Sequence, residues 1–197
     1  MSADGFWLRS GPTIAFPGLS QDGKSHCVYA SVAGAVNHVA GRPHWSVPAL
    51  VAECDRRSER SPTFDTVVPV AVEPLKDLVS YEIARERLKP RPTGAFVVEL
   101  SRWVSGGGIA VISLEAADGP LPAGKRLQNY HMITLIAKDG DRFQVWDTNN
   151  LAGFLTPEEL ENGFRYLPLL VHPRPWMIKH PEHDCVLFRN SSPKNQE

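Results

Sequence analysis

The sequence contains little of several features that would assign it to a function class. Its 21 basic residues are balanced by 22 acidic ones, and its longest apolar stretches stay well short of eighteen residues. A net charge of −1 provides no basic surface for a phosphate backbone, so nucleic acid is not an expected partner. Because no apolar run is long enough for a membrane span, no membrane partner is expected either.

Targeting signals and disulfides are also scarce. The first twenty residues lack the basic segment and apolar core of a Sec-type signal, which favours a cytoplasmic location and leaves open export as an effector by a dedicated system. The three cysteines, Cys27, Cys54 and Cys185, cannot all pair, and a chain of 197 residues can form a core without disulfides. We therefore expect thiols in a reducing compartment.

Composition and periodicity indicate one domain. Hydrophobic residues make up 42% of the chain, which is ordinary for a globular protein. Residues 1–20 are rich in Gly, Pro and Ser without a period, so they are predicted to form an arm over the body. Residues 21–190 form the predicted single folded domain, and residues 191–197 a frayed tail. The oligomeric state is not legible from the sequence.

The first predicted helix spans Cys27 to Val39. Small and apolar residues occupy nearly all of its faces, which is typical of a helix buried through a domain. Ser25 or Asp22 is the expected N-terminal cap, and Gly41 the stop.

Further helices are indicated by caps, helical spacing and glycine stops. They are predicted over Val47–Arg57, Thr93–Ser105 and Thr156–Gly163, with a less regular helical pattern over Pro74–Leu88. After residue 105 the pattern becomes β-branched and alternating, which predicts antiparallel strands in GIAVISLEAA, YHMITLIAKDG, DRFQVWDT and RYLPLLVH. The predicted class is α+β: a helical N-terminal lobe packed on an antiparallel sheet lobe, with a cleft between them for a site.

Three residues in these elements suit nucleophilic catalysis. A thiol at a helix N-terminus, such as Cys27, is stabilised as thiolate by the helix dipole and a nearby histidine. His131 lies in a predicted strand and Asp147 ends the next, and the Asp139-Gly140-Asp141 turn would bring them side by side. Asp147 can then orient the imidazole.

Each of these residues also has a plainer interpretation. Cys27 alone reads as a core residue, His131 as a sheet residue and Asp147 as the start of a turn. Asn149 is an alternative third member, because its side chain can also accept the imidazole N–H. Gln21, six residues before Cys27, is a candidate amide donor for an oxyanion, although alone it reads as a polar loop residue.

Together, Gln21-x5-Cys27 opening a buried helix, His131 on a strand and Asp147 on the next strand resemble the papain-like cysteine peptidase superfamily. The closer resemblance is to the compact bacterial branch of bacteriocin-exporter leader peptidase domains, in a free-standing form. The resemblance implies a papain-like fold, Cys27 as nucleophile, His131 as general base and acid, Asp147 as its orienter and Gln21 as oxyanion donor.

The function expected from this resemblance is hydrolysis of a peptide or isopeptide bond in a protein or peptide substrate, with no cofactor and no metal. Deamidation of a glutamine, or acyl transfer to an amine, uses the same machinery and stays open. So does a catalytically silent papain-like module that only binds a peptide.

Other candidate residues receive plainer predictions. His26 is expected to be an exposed loop side chain. His180, His183 and Cys185 are potential metal ligands, but they lack the paired spacing of a zinc site, so a solvated loop is favoured. Cys54 and Cys185 are expected to be structural.

Overall fold

A six-stranded antiparallel sheet is the framework of the protein in the computed structural model. The structure describes residues 19, 26–57, 62–86, 93–115, 130–148, 151–158, 160 and 183–191. Within these ranges the helices are α1 (Cys27–Ala40), α2 (Val47–Arg56), α3 (Phe64–Val72) and α4 (Thr93–Ser105), with a short 3-10 turn at Glu73–Leu75. The strands are β1 (Val79–Glu86), β2 (Ile109–Glu115), β3 (Tyr130–Asp139), β4 (Arg142–Asp147), β5 (Leu151–Leu155) and β6 (His183–Asn190). They are ordered β1-β6-β2-β3-β4-β5.

Helix α1 is enclosed by other elements along most of its length. Its ten residues from Val28 to Asn37 are all buried. Seven of them, all except Ser31, Gly34 and Asn37, belong to one core cluster with side chains of α2, α3 and four strands of the sheet. The predicted buried helix is confirmed, and it ends at Gly41, whose φ of 67° is the left-handed conformation that favours glycine.

A second core cluster lies between α4 and the sheet. Phe96, Leu100 and Val104 of α4 pack with Ile112 of β2 and Ile133 of β3. Since neighbouring positions of a strand alternate between faces, this cluster lies on the face opposite α1. The sheet is therefore covered by α1, α2 and α3 on one side and by α4 on the other.

The glycine at position 108, after α4, leaves room for the side chain of Trp103. The Trp103 indole N–H lies 3.3 Å from the Ile109 carbonyl and 3.2 Å from that of Phe188. A Cβ added at Gly108 would lie only 2.2 Å from the same indole nitrogen. Gly108 therefore lets Trp103 tie α4 to β2 and β6.

Most predicted elements that fall on described residues are confirmed. Helices α2 and α4 match, and strands β2, β3 and β4 occur where the alternation placed them. The β3–β4 turn has Gly140 at φ 61° and pairs Asp139 with Arg142. A helical turn also begins at Thr156, because the Leu160 amide donates to the Thr156 carbonyl at 3.0 Å.

The helical pattern over Pro74–Leu88 is wrong for most of its length. Residues 79–86 form β1, an edge strand that pairs with β6 along its entire length. Val79 is buried in the α1 cluster and Ile83 packs against it, so burial by a distant strand outweighed local helical spacing. Helix α3 and strands β5 and β6 were not predicted.

Several predictions lie outside the described residues. They concern the arm except Leu19, the caps Ser25 and Asp22, the strand at residues 165–172, the end of the Thr156 helix and the tail beyond residue 191. Leu19 itself is half-buried and packs against the α1 cluster. Among the helices that are described, none has the length and apolar character needed to cross a bilayer.

Asn37 anchors the C-terminal end of α1. Its side-chain oxygen accepts the amides of His44 and Trp45 at 2.9 Å, and its Nδ2 donates to the Trp45 carbonyl at 2.8 Å. The Trp45 indole in turn donates to the Ala71 carbonyl of α3 at 2.8 Å. One buried amide thus fixes the loop after α1, and through Trp45 the position of α3.

We predict that Asn37→Ala lowers the free energy of unfolding by about 2–4 kcal/mol, because it removes three hydrogen bonds and leaves their backbone partners without the amide. Urea denaturation followed by circular dichroism measures the change. Arg42→Ala, an exposed substitution in the same loop, is the control and should stay within about 0.5 kcal/mol of the parent. Equal midpoints for the two variants would contradict the role given to Asn37.

Candidate active site

Cys27 is the first residue of α1 and is only partly buried, in contrast to the ten residues that follow it. Its side chain packs against the α1 core cluster. The first N–H groups of a helix have no partner within the helix, so the backbone here carries partial positive charge. This is an environment that favours a thiolate and that can bind a developing oxyanion.

The β3–β4 hairpin fixes the backbone positions of His131 and Asp147. Asp147 pairs directly with Ile133, and His131 lies two residues before Ile133 on β3. His131 and Asp147 are therefore diagonal neighbours in the ladder, a relation in which residues are about 7–8 Å apart. The side chains of both residues lie outside the described part of the structure.

A cavity marks where the C-terminal end of α1 meets strand β3. His38 of α1 lines this cavity of about 500 Å³ together with Ile136 of β3. Counting back from these residues, Cys27 is about 16 Å along the helix and His131 about 17 Å along the strand. Met132, four residues before Ile136 on β3, also belongs to the α1 core cluster.

The predicted site residues are thus brought together in part. The backbones at His131 and Asp147 lie at one end of the sheet, where β3 starts and β4 finishes, and Cys27 is at the end of α1 that lies away from the His38 cavity. Gln21 and the alternative third residue, Asn149, lie outside the described residues.

The prediction that His26 is an exposed loop side chain is wrong. His26 is half-buried at the N-cap of α1, and its ring meets that of Tyr29 edge-on, with centroids 5.8 Å apart. Tyr29, for which the sequence predicted no role, is 6% exposed. The signal for this contact was the spacing of three residues, which places side chains on one face of a helix.

The other cysteines have a different environment. All three cysteines lie in the described residues and none forms a disulfide. Cys54 and Cys185 are 0% exposed and belong to the two core clusters, as their structural assignment predicted. The solvated loop expected around Cys185 is wrong, because residues 183–190 form β6. His180 lies outside the described residues, among which no group of three potential ligands is placed to hold a metal ion.

A known structure shares this arrangement of helices and strands. A protein from Bacillus anthracis described as a C39-like peptidase aligns over 88% of this chain and 94% of its own, with a TM-score of 0.54 and 16% identity. The Pseudomonas avirulence protein AvrPphB aligns over 89% of this chain and 96% of its own, with a TM-score of 0.43 and 13% identity. No family model and no curated protein matches the sequence. The predicted papain-like α+β fold is confirmed.

We predict that a thiol-directed electrophile labels Cys27 first under native conditions. Cys54 and Cys185 have no exposed surface, so iodoacetamide should reach them at least about tenfold more slowly. Peptide mapping after timed alkylation measures the three rates, and alkylation in urea, where the rates should converge, is the control. Labelling of Cys54 or Cys185 at the rate of Cys27 in the native protein would contradict the burial described above.

Proposed function

We propose that the protein is a papain-like cysteine peptidase that hydrolyses a peptide or isopeptide bond in a protein or peptide substrate. The observation that carries the proposal is Cys27 at the N-terminal end of the buried helix α1, together with His131 and Asp147 as diagonal neighbours on the β3–β4 hairpin. The shared fold with a protein described as a C39-like peptidase supports it.

The proposed chemistry begins with Cys27. His131 takes the thiol proton, and the sulfur attacks the carbonyl carbon of the scissile amide. The tetrahedral intermediate collapses when the imidazolium protonates the leaving amine, which departs and leaves a thioester. Water, deprotonated by His131, then attacks the thioester and releases the carboxylic acid, and the proton returns to the sulfur. Asp147 accepts a hydrogen bond from the imidazole and fixes its orientation.

Stabilisation of the oxyanion falls to two donors. We assign the first donor to the backbone N–H of Cys27, in the first turn of α1, where helix geometry supplies no carbonyl partner from within the helix. We assign the second donor to the side-chain amide of Gln21, on the six-residue spacing that the resemblance provides. Such donors act where negative charge develops in the transition state, so they raise kcat more than they lower KM.

Within the superfamily we assign the chain to the branch of the bacteriocin-exporter leader peptidase domains. This assignment rests on Asp147 in the third position and on the spacing of Gln21 from Cys27. It makes a leader-like peptide segment the favoured substrate class.

We predict that Cys27→Ala lowers peptide hydrolysis by at least about 10³-fold, because no other group in the mechanism can form the thioester. A peptide library from a digested proteome, analysed by mass spectrometry for new termini, measures turnover. Intact peptides heavier by about one dalton at glutamine would instead identify a deamidase, since water then replaces ammonia at the same acyl-enzyme.

Cys54→Ala is the matched control and should retain turnover, because Cys54 is buried between α1 and α2. His131→Ala should lose turnover to a similar degree as Cys27→Ala. Unchanged hydrolysis in Cys27→Ala would refute the mechanism, and loss of turnover in none of the variants would favour a contaminating activity.

We predict separately that Gln21→Ala lowers kcat by about 10²–10³-fold while KM changes little, as expected for a donor that binds only the transition state. Steady-state kinetics on a cleaved peptide gives the two constants. The rate of Cys27 alkylation should stay at the parent value, because that reaction forms no oxyanion. A rise in KM with kcat unchanged would assign Gln21 to substrate binding instead.

A further inference from the structure

His26 occupies an unusual helix start. It is the N-cap of α1, and its carbonyl accepts the Ala30 amide at 2.9 Å, yet its side chain makes no capping hydrogen bond. Its ψ is 3°, whereas Ser46 before α2 and Thr63 before α3 have ψ values of 162° and 165°. Those extended values are the usual ones for an N-cap. The chain therefore enters α1 from a different direction than it enters the other two helices.

Side-chain hydrogen bonds determine the start of α2 and α3. The Ser46 hydroxyl accepts the Ala49 amide at 3.3 Å, and the Thr66 hydroxyl accepts the Thr63 amide at 3.1 Å. At α1 the observed contact is between rings: His26 meets Tyr29 at an interplanar angle of 90°. An edge-to-face pair of this kind is directional, so it can hold the N-cap residue in one orientation.

Tyr29 is a fixed partner for this contact. It is 6% exposed and belongs to the core cluster that α1 shares with α2 and α3. Burial raises the pKa of its phenol, and the nearby Cys54 thiol and Asp55 carboxyl of α2 raise it further, so the ring stays neutral at ordinary pH. His26 therefore rests on a side chain that the α1–α2 interface holds in place.

We propose that His26 is a positioning residue for Cys27: its ring, packed edge-on against buried Tyr29, sets the backbone at the start of α1 and so the direction of the adjacent thiol. The inference deepens the proposed peptidase function and rests on it where turnover is concerned. Displacement of a nucleophile by about 1 Å can cost about 10²-fold in rate.

The first test compares His26→Ala with His26→Phe. The alanine variant loses the ring contact, so the rate of Cys27 alkylation and kcat should each fall about tenfold, with KM within about twofold of the parent. Phenylalanine keeps an aromatic edge against Tyr29 and should restore both rates to within about threefold. Timed alkylation with peptide mapping and steady-state kinetics supply these numbers.

A second variant separates positioning from general stability. His26→Ser introduces a good N-cap, whose hydroxyl can accept the Tyr29 amide and draw residue 26 toward the extended conformation of Ser46. We expect the thermal midpoint to rise by about 2–4 °C while alkylation of Cys27 slows about tenfold. A residue that only supported the fold would not give changes of opposite sign.

His44→Ala is the matched control. His44 meets the ring of Trp45 in a similar perpendicular pair, at 4.8 Å, but beyond the C-terminal end of α1. It should leave Cys27 alkylation unchanged. Parent-like alkylation in His26→Ala, or a phenylalanine variant as slow as the alanine variant, would overturn the proposal. Because alkylation needs no substrate, failure of the peptidase function would show only in the turnover assays.

Discussion

The burial of α1 is the constraint on which the rest of the structure depends. A helix with ten consecutive buried residues has to be covered on every side, and here α2 and α3 cover one side and the sheet the other. The helix has small residues, Ala30, Ala33, Gly34 and Ala35, that let neighbouring elements approach closely. Only its two ends can approach the surface, and Cys27 is at one of them. A thiol in this position has a rigid backbone and is partly accessible at the same time.

Both ends of α1 are held by specific side chains rather than by the helix itself. At the C-terminal end, Asn37 and Trp45 connect the following loop to α3 through hydrogen bonds. At the N-terminal end, the His26–Tyr29 contact connects the start of the helix to the α1–α2 interface. A helix fixed at both ends cannot slide along the sheet. The level of Cys27 relative to the sheet is then determined by contacts at both ends of the helix.

The sequence predicted those parts of the fold whose signals are local. Apolar spacing and Gly41 located α1, and the Asp139-Gly140-Asp141 turn located the β3–β4 hairpin. Strand β1 could not be found in this way, because its partner β6 lies about a hundred residues further along the chain.

Helix α3 was not predicted, because it contains Pro69, and an interior proline usually argues against a helix. Strand β6 was not predicted, because His183 and Cys185 were interpreted as potential metal ligands in a solvated loop.

The sequence predicted only part of the candidate site, because only part of it depends on local signals. The order of Cys27, His131 and Asp147 can be read from the sequence, and the hairpin turn predicts that the last two are close. Their relation to Cys27 depends on how α1 packs across the sheet, which no local pattern encodes. The environment of His26 was missed because a residue next to a nucleophile was assumed to point to solvent, whereas its spacing from Tyr29 allowed a buried contact.

The start of α1 departs from the pattern seen at the starts of α2 and α3. Beyond the N-cap without a side-chain cap, Ser31 lies one helical turn after Cys27 and is 1% exposed. Thr134 on β3 is 0% exposed, and within the described residues neither hydroxyl has a hydrogen-bond partner.

A buried hydroxyl of this kind costs about 1–3 kcal/mol, and a missing cap about 1 kcal/mol. Replacing Ser31 by alanine and Thr134 by valine would remove the cost of the buried hydroxyls with little loss of packing. Proteins keep such local costs mainly where function requires them, so the missing side-chain cap and the buried Ser31 hydroxyl near the start of α1 are an argument for a functional site there that does not depend on any likeness to other proteins.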